Sequence, residues 1–244
     1  MKPHRFLPVT LRHAWLAALL CAGMPAQAQE AQQLFIGGSQ GSSAGTYTYA
    51  GQIAPLEGAR VGQGWFRKTV ASWLTYRYDT DLAGLPVQAR AGAAGIESGW
   101  GYAWDGEQLK ADVSLSLGLR HTRLRPDALR ADGEHGTRIM LTPQVSARYL
   151  INSQWDADML AAYSTGARSR FARARVGMRP ADTGWRLGLE ASLSQGKDYR
   201  TEQTGVFAGR SIGAGWFLEV NAGQAKPRDG KSTPYIGLSV SLMR

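Results

Sequence analysis

The sequence LKADVSLSLGLRHT, which runs from Leu109 to Thr122, alternates strictly between apolar and polar positions. Every second side chain from Leu109 to Leu119 is apolar, and the residues between them are small, polar or charged. Successive side chains of a β-strand point to opposite faces, whereas a helix would spread these leucines around its whole circumference. The run is also longer than a typical strand of a soluble protein. The pattern therefore predicts a strand with hydrocarbon on one face and water on the other.

The N-terminus has the features of a secretory signal peptide. Three basic residues precede an apolar run from Ala14 to Ala22, and Ala26-Gln27-Ala28 matches an A-x-A cleavage site. We therefore predict that residues 1–28 are removed and that residues 29–244 form a single domain. The one cysteine of the chain, Cys21, lies in the predicted signal peptide, so the mature chain has none.

Charge and hydropathy limit what the exported chain can be. Its formal net charge is +9, which falls to +6 when the three basic residues of the signal peptide are removed. A basic chain could bind nucleic acid, but a chain exported to the bacterial envelope meets lipopolysaccharide phosphates instead. We therefore expect outer-membrane lipid and lipopolysaccharide as partners, and no nucleic acid. No run of eighteen apolar residues follows the signal peptide, so a membrane-spanning form would have to be a β-barrel.

The alternating pattern recurs along the whole mature chain. It predicts an all-β fold, a single closed antiparallel transmembrane β-barrel of about twelve strands in the outer membrane of a Gram-negative bacterium. The predicted strands are Leu34–Gly38, Thr46–Ile53, Gly64–Tyr78, Gln88–Trp104, Leu109–Thr122, Thr137–Tyr149, Trp155–Ser164, Ser169–Met178, Trp185–Ser194, Gly205–Ile212, Trp216–Gly223 and Pro234–Met243. Loss of Leu34–Gly38 together with one other strand would give the alternative count of about ten.

The lengths of the predicted connections indicate which end of the barrel holds the termini. With both termini in the periplasm, connections after even-numbered strands should be short, as Asp105–Gln108 is. Connections after odd-numbered strands should be longer, as Asp79–Val87 and Arg123–Gly136 are. Pro55–Gln63 is the one exception, because it is long although it follows an even-numbered strand. The same arrangement predicts an interfacial aromatic girdle at the periplasmic end. Its predicted members are Trp104, Tyr149, Trp155, Trp185 and Trp216.

The strand Gly64–Tyr78 gives a weaker prediction of its two faces. Most of its apolar side chains fall on the face of Phe66, and Arg67 and Arg77 fall on the other. Lys68 and Trp73 interrupt this alternation. Because the apolar face is expected to contact lipid, Arg67 and Arg77 are predicted to face the lumen, which is the interior of the barrel.

Charged residues on the predicted polar faces are expected to line the lumen. They are Arg67, Arg77, Lys110, Asp112, Arg120, Arg138, Arg148, Asp156, Asp158, Arg173, Arg175, Arg186, Glu190 and Glu219. The favoured interpretation is a mutually paired interior, because an unpaired buried charge would cost several kcal/mol. The alternative is a hydrophilic passage in which arginines and a few aromatic residues, such as Trp73 and Phe217, hold a sugar chain. The sequence predicts no ladder of inward-facing aromatic residues.

The mature chain offers one weak arrangement for catalysis. His121 and His135, with Ser114, Ser116 and Glu134 nearby, could supply the base, nucleophile and acid of a lipid-modifying hydrolase. Serine is nevertheless common on every predicted inward face, and His135 falls in a predicted loop. Two histidines without a carboxylate cluster also predict no metal site. We therefore predict a protein without catalytic residues or cofactors.

Short motifs occur in an order that resembles one known family. They are Gly51 ahead of Leu56-Glu57-Gly58, Gly64-Trp65-Phe66-Arg67 followed by Tyr76 and Tyr78, Pro126-Asp127, Tyr163-Ser164 leading to Arg173 and Gly177, Gly188-Leu189-Glu190 and Gly205-Val206-Phe207. From about Tyr47 to Gly223 the chain resembles the outer-membrane cellulose biosynthesis proteins called BcsS.

The resemblance implies a non-enzymatic outer-membrane barrel, accessory to the biosynthesis or export of bacterial cellulose or exopolysaccharide. The partners that it implies are components of cellulose synthase or export, or the polysaccharide itself. It implies no catalytic residues. A general porin and a lipid-modifying outer-membrane enzyme are the alternative interpretations.

Overall fold

The computed structural model describes residues 32–43, 45–126, 135–181, 183–197, 199–228 and 230–244, which form a closed antiparallel barrel of twelve strands. The predicted fold and strand count are confirmed. The strands are β1 Leu34–Ser42, β2 Gly45–Pro55, β3 Gly64–Leu82, β4 Leu85–Asp105, β5 Leu109–Arg125, β6 Gly136–Leu150, β7 Trp155–Ser164, β8 Ser169–Met178, β9 Trp185–Gln195, β10 Arg200–Gly213, β11 Trp216–Pro227 and β12 Thr233–Met243. The predicted signal peptide, residues 1–28, lies outside the described residues.

The first and last strands close the barrel. Each strand pairs with its neighbours in sequence, and β12 returns to pair with β1 from Leu34↔Met243 to Ser42↔Tyr235. Beyond this ladder the Gln33 backbone N–H donates to the Arg244 carbonyl at 2.6 Å, and the Arg244 N–H donates to the Gln33 carbonyl at 2.9 Å. Both ends of the described chain therefore lie at one rim, which we call the terminal rim. The opposite rim is called the distal rim.

The wall is taller on one side than on the other. Strands β3, β4 and β5 have 19, 21 and 17 residues, whereas β1 and β2 have 9 and 11. The prediction of a loop over Asp79–Val87 was wrong, because β3 and β4 continue to a tight turn at Ala83 and Gly84. These two residues have φ of 53° and 83°, the positive values that a two-residue hairpin turn requires.

Strands β5 to β9 follow the predicted alternation, and we call them the regular sector. On β5, Leu115 and Leu117 are 49% and 61% exposed on the outer face, whereas Ser114 and Ser116 are buried inside. Leu187 and Leu189 on β9 also lie outside, and Arg186 and Glu190 are buried inside. An apolar outside and a polar inside are the arrangement expected of a barrel surrounded by lipid.

Strands β1 to β3 have the opposite distribution of side chains, and we call them the inverted sector. Phe66 and Lys68 on β3 are buried in the lumen, whereas Trp65 and Trp73 are exposed on the outer face. The register continues this arrangement onto β2, because Ile53 pairs with Lys68. The inner faces of these strands therefore carry many of the large apolar and aromatic side chains.

The prediction that Arg67 and Arg77 face the lumen was wrong. Arg67 pairs with Trp100 across β3 and β4, and both side chains are exposed on the outer face. Arg77 pairs with Arg90, which in turn pairs with Arg125 on β5, and all three side chains are exposed. The three form a row of arginines across the outer face of the tall wall, which we call the arginine row.

The small inner face of β4 explains why β3 turns its large side chains inward. Ala89, Ala91, Ala93 and Ala103 are buried on that face. A Cβ atom built on Gly101 would lie only 2.3 Å from Cζ of Phe66, so glycine is the residue that leaves room for this ring. Large side chains on one strand fill the space left by small ones on the next, because barrel interiors are packed closely.

Polar groups on the outer face of the inverted sector form hydrogen bonds with one another. The hydroxyls of Ser39 and Thr48 lie 3.0 Å apart across β1 and β2. Those of Thr69 and Ser98 lie 3.0 Å apart across β3 and β4. Each pair satisfies hydroxyl groups that would otherwise be costly to place in an apolar surrounding.

Candidate functional site in the lumen

Most of the predicted lumenal charges do face the lumen. These residues are Lys110, Asp112, Arg120, Arg138, Arg148, Asp156, Asp158, Arg173, Arg175, Arg186, Glu190 and Glu219. The structure brings six of them into one connected network near the terminal rim. They are Arg148, Asp156, Asp158, Arg175, Arg186 and Glu219.

Asp156 is the centre of this network. It stands at the start of β7, its side chain is fully buried, and its carboxylate forms ion pairs with three arginines. Nη2 of Arg148 lies 2.8 Å and Nη2 of Arg179 lies 3.0 Å from Oδ2, and Nε of Arg186 lies 3.0 Å from Oδ1. Charge-assisted contacts of this kind are stronger than neutral ones, so Asp156 links β7 to β6, to β9 and to the β8–β9 connection from inside.

Asp158 and Glu219 continue the network across the lumen. Arg186 also reaches Oδ2 of Asp158 at 2.5 Å, and Nε of Arg175 donates to Oδ1 of the same carboxylate at 2.9 Å. Nη1 of Arg175 then donates to Oε1 of Glu219 on β11 at 2.7 Å. The ring of Phe207 lies 4.8 Å from Cζ of Arg186 and 4.9 Å from Cζ of Arg175. An aromatic face in this position stabilises the two guanidinium groups.

A cavity of about 550 Å³ lies against the network. Its lining includes Arg148, Arg175, Arg179, Arg186 and Glu219. Burial, with the nearby Arg186 charge, holds the pKa of Arg179 below its usual value. Because guanidinium groups stay protonated in proteins, the cavity is lined by four cations that the three carboxylates of the network partly neutralise.

Glu190, Asp112 and Lys110 have contacts of their own outside this network. Arg173 lies beside the network, because it interacts electrostatically with Arg175, Asp158 and Glu219. Oε1 of Glu190 accepts hydrogen bonds from Nδ2 of Asn221 at 2.6 Å and from the hydroxyl of Tyr235 at 2.7 Å. Asp112 accepts a hydrogen bond from the Ser146 hydroxyl. Lys110 pairs with Asp105 at 2.6 Å at the terminal rim. These contacts are local pairs and do not form a second shared centre.

Lys68 is a lumenal residue that was not predicted from the sequence. Its side chain is 4% exposed, and Nζ donates to Oγ of Ser114 at 3.2 Å and to Oε1 of Gln144 at 3.1 Å. It thus joins β3 to β5 and β6 through the lumen. The signal was present in the sequence, because Lys68 and Trp73 interrupt the predicted alternation and both fit once the two faces of β3 are exchanged.

A set of tyrosines also faces the lumen, so the prediction that no inward-facing aromatic ladder exists was wrong. Tyr49 and Tyr47 follow one another along the inner face of β2, and Tyr76 and Tyr78 along that of β3. Tyr199, in the connection between β9 and β10, contacts Tyr76 with ring centroids 5.0 Å apart. We call these five residues the tyrosine ladder. Of the two aromatics considered for a sugar passage, Phe217 faces the lumen and Trp73 lies on the outer face.

The residues considered for hydrolysis are not brought together. His121 points to the outer face of β5, where Nδ1 lies 2.9 Å from Oγ1 of Thr137, whereas Ser114 and Ser116 are buried in the lumen. Glu134 lies outside the described residues. Among the residues that the structure describes, no group of three or more potential metal ligands is found. Within the same ranges no helix is long and apolar enough to cross a membrane.

The predicted girdle residues lie together at one end of the barrel. They are Trp104, Tyr149, Trp155, Trp185 and Trp216, each at the end of its strand next to the terminal rim. The first four are exposed on the outer face and Trp216 is half-buried there. Trp65 and Tyr102 lie beside Trp104 and contact each other edge to face, with ring centroids 5.4 Å apart.

Solved structures with a similar fold are outer-membrane proteins. An outer membrane channel from Pseudomonas putida F1 shares 13% identity and has a TM-score of 0.52, with 91% of this chain and 98% of that chain covered. The beta domain of a Bordetella autotransporter shares 13% identity at a TM-score of 0.50, with 87% and 99% covered. The KdgM porin shares 7% identity at a TM-score of 0.49, with 86% and 98% covered. At these identities the likeness shows the fold alone.

Sequence comparison reaches further than the fold. No protein with a curated description matches the chain. The sequence profile of a family described as "Cellulose biosynthesis protein BcsS" matches residues 34–244, from the start of β1 to the last residue of the chain.

Proposed function

The chain belongs to the family of cellulose biosynthesis protein BcsS, and we propose that it is a non-enzymatic barrel of the Gram-negative outer membrane, accessory to the biosynthesis or export of cellulose or another exopolysaccharide. The family match over residues 34–244 is the observation that carries this proposal. The fold, which is that of outer-membrane barrels, supports the location.

The contacts inside the barrel favour an accessory role over a general porin. Near the terminal rim the lumen holds a network in which Asp156, Asp158 and Glu219 bind arginines from β6, β8 and β9. Side chains that are tied to one another in this way occupy space that an open channel would leave to water. The lumen therefore supports a role in binding or assembly.

The arginine row supports lipopolysaccharide as a partner. Arg77, Arg90 and Arg125 lie side by side on the outer face near the distal rim, and directly opposed like charges on neighbouring strands repel each other. With the termini in the periplasm, this row would stand at the level of the outer leaflet. Phosphate groups there would neutralise the repulsion, because arginine binds phosphate through paired hydrogen bonds.

The separation of His121 from the lumenal serines supports the non-enzymatic part of the proposal. A serine nucleophile needs an imidazole within hydrogen-bonding reach. His121 points outward and Ser114 and Ser116 point inward, so the wall of the barrel lies between the two kinds of group.

A deletion strain tests the proposed role in polysaccharide production. Removing the gene from the bacterium that carries it should reduce the binding of a cellulose-specific dye by colonies, and a plasmid copy of the wild-type chain should restore it. The control is a strain with an unrelated outer-membrane barrel deleted. Unchanged dye binding in the deletion strain would contradict the proposal and leave only the fold.

Single-channel recording separates the accessory role from a general porin. The purified barrel, inserted into a planar bilayer, should show no large and steady conductance, because the terminal part of its lumen is occupied by paired side chains. A large open channel that persists at low voltage would favour the porin alternative.

A further inference from the structure

We propose that the tyrosine ladder is a binding platform for a segment of a neutral, β-linked glucan chain. This inference rests on the proposed function, because it names the ligand that an accessory barrel of polysaccharide production would hold. It concerns the wall of the lumen that runs from Tyr49, which lies near Arg175 and Glu219 of the arginine network, towards the distal rim.

The register places four tyrosines at successive positions along the inner wall. Tyr49 and Tyr47 are two residues apart on β2, and Tyr47 pairs with Leu74 on β3. Tyr76 and Tyr78 follow Leu74 at steps of two residues in the direction of the distal rim. Since each residue of a strand advances the chain by about 3.3 Å, the ladder extends over about 20 Å.

The rings of the ladder lie in two nearly parallel pairs. The rings of Tyr47 and Tyr49 lie 5.8 Å apart with 26° between their planes, and those of Tyr76 and Tyr78 lie 5.9 Å apart with 24°. Nearly parallel rings at these separations are offset and do not cover each other fully. Tyr47 is 43% exposed although it points into the barrel, so its surface is open to the lumen.

The wall next to the ladder is shaped to hold the rings. Gly38 on β1 pairs with Tyr49, and a Cβ atom at this glycine would lie 2.9 Å from Cε1 of the tyrosine ring. The absence of a side chain at Gly38 therefore lets the ring of Tyr49 lie flat beside the neighbouring strand. Tyr199 faces the ladder from the β9–β10 connection, across the low β1–β2 side of the rim.

Polar groups beside the ladder include neutral amides and hydroxyls. Charged groups of both signs also lie near it, Glu97 and Arg120 near Tyr47, and Glu219, Arg173 and Arg175 near Tyr49. Gln40 pairs with Tyr47, and its Nε2 donates to Oε1 of Gln203 at 2.9 Å. The hydroxyl of Ser192 donates to the same oxygen at 2.9 Å. A line of amides and hydroxyls next to apolar ring faces suits a ligand that has hydroxyl edges and apolar faces.

A β-linked glucan has this combination of surfaces. Its sugar rings present C–H groups on both flat faces and hydroxyl groups around the edge, and consecutive rings form an extended ribbon. Tyrosine rings offer an apolar face for the C–H groups, and tyrosine hydroxyls and glutamine amides offer hydrogen bonds for the edge. Charged sugars would instead fit the arginine-lined cavity at the terminal rim. The charges near the ladder are of both signs and do not favour an anionic or a cationic sugar, so its ring faces and neutral polar groups indicate a neutral chain.

Binding of cellohexaose to the purified full-length barrel in detergent micelles, measured by isothermal titration calorimetry, tests this inference. The wild-type protein should bind cellohexaose and should bind the α-linked maltohexaose more weakly. Tyr47→Ala and Tyr76→Ala should each raise the Kd for cellohexaose about three- to tenfold, the loss expected for one aromatic contact. Tyr47→Phe, which keeps the ring, should change it less.

Tyr163→Ala is the matched control, because Tyr163 is a tyrosine on the outer face of β7 and is 46% exposed. Its Kd should equal that of the wild type. Each variant is first checked for folding by its heat-modifiable mobility in gels. Absence of cellohexaose binding by the wild type, or equal binding by the folded ladder variants and the control, would overturn the inference.

The experiments distinguish this inference from the proposed function. If the deletion strain loses dye binding but the purified barrel does not bind cellohexaose, the accessory role stands and the ladder inference fails. If the ladder variants lose binding but deletion changes nothing, the glucan site stands and the proposed role in production fails.

Discussion

The regular sector and the inverted sector are built from similar alternating sequences, yet they place opposite kinds of side chain in the lumen. On β5, leucines lie outside and serines inside, with Leu115 49% exposed and Ser116 fully buried. On β3, Phe66 and Lys68 are inside, and Trp65 and Arg67 are outside. The period of two is the same in both sectors. The two sectors differ in which kind of side chain finds space inside the barrel, next to the neighbouring strand.

The comparison shows that alternation identifies a strand but does not by itself identify its lipid-facing side. In the regular sector, the two faces differ so clearly in polarity that only one orientation is reasonable. In the inverted sector, each face of β3 carries both apolar and basic residues, so polarity decides little. The small inner face of β4 decides instead, because it accepts the ring of Phe66 over Gly101.

The largest effect is expected where the regular sector holds its charges. Asp156→Asn should lower the free energy of unfolding by about 3–5 kcal/mol, because it removes the carboxylate charge from three arginines, one of which, Arg186, is itself buried. Urea unfolding in detergent, followed by tryptophan fluorescence, measures the change. Asp105→Asn, at an exposed pair on the rim, is the control and should have no measurable effect. A loss at Asp156 no larger than at Asp105 would mean that the network does not stabilise the barrel.

A somewhat smaller effect should distinguish the two faces of the inverted sector. Phe66→Ala should cost about 3 kcal/mol, because a ring that is only 6% exposed would leave a cavity against Gly101. Trp65→Ala, one position away and 59% exposed on the outer face, should cost clearly less. The same unfolding assay compares the two variants. A greater loss for Trp65 than for Phe66 would restore the sequence-based orientation of β3, with Arg67 inside.

The smallest effect should come from the hydroxyl pairs on the outer face of the inverted sector. Thr48→Val removes one partner of the 3.0 Å contact with Ser39 and should cost about 0.5–1.5 kcal/mol, because the Ser39 hydroxyl is left without it. Adding Ser39→Ala should recover most of this loss, as expected when both partners are removed together. Unfolding in lipid vesicles measures both variants. If the double variant is less stable than Thr48→Val alone, the outer face of this sector is in contact with water and not with lipid.

One physical reason explains which residues were placed on the correct face of the barrel from the sequence and which were not. Leu115, Leu187 and Arg186 were placed correctly because their strands alternate without interruption and one face is plainly apolar. Arg67 and Arg77 were placed wrongly because their strand has interruptions and its orientation depends on the neighbouring strand. The tyrosine ladder was missed because Tyr47 and Tyr76 belong to strands whose inner faces are unusually apolar.

The contacts between the charged residues could be identified only in the closed barrel. The sequence shows that Asp156 and Arg148 fall on inward faces, but Arg179 lies outside the alternating segments and joins them only in space. Likewise the Lys68 contacts with Ser114 and Gln144 join positions far apart in the chain. Such contacts depend on the register and tilt of the strands, which local periodicity does not report.

The sequence by itself determined that this chain forms a closed barrel, because strands with one apolar face can be satisfied in lipid only when every backbone group is paired and no edge remains. It also determined the family, through the order of its motifs, which the match over residues 34–244 then established. Only the tertiary structure decided which way β1 to β3 face, which arginines share Asp156 and which tyrosines line the distal lumen. Those outcomes depend on the volume and charge that neighbouring strands present to one another, and these are fixed only once the sheet has closed.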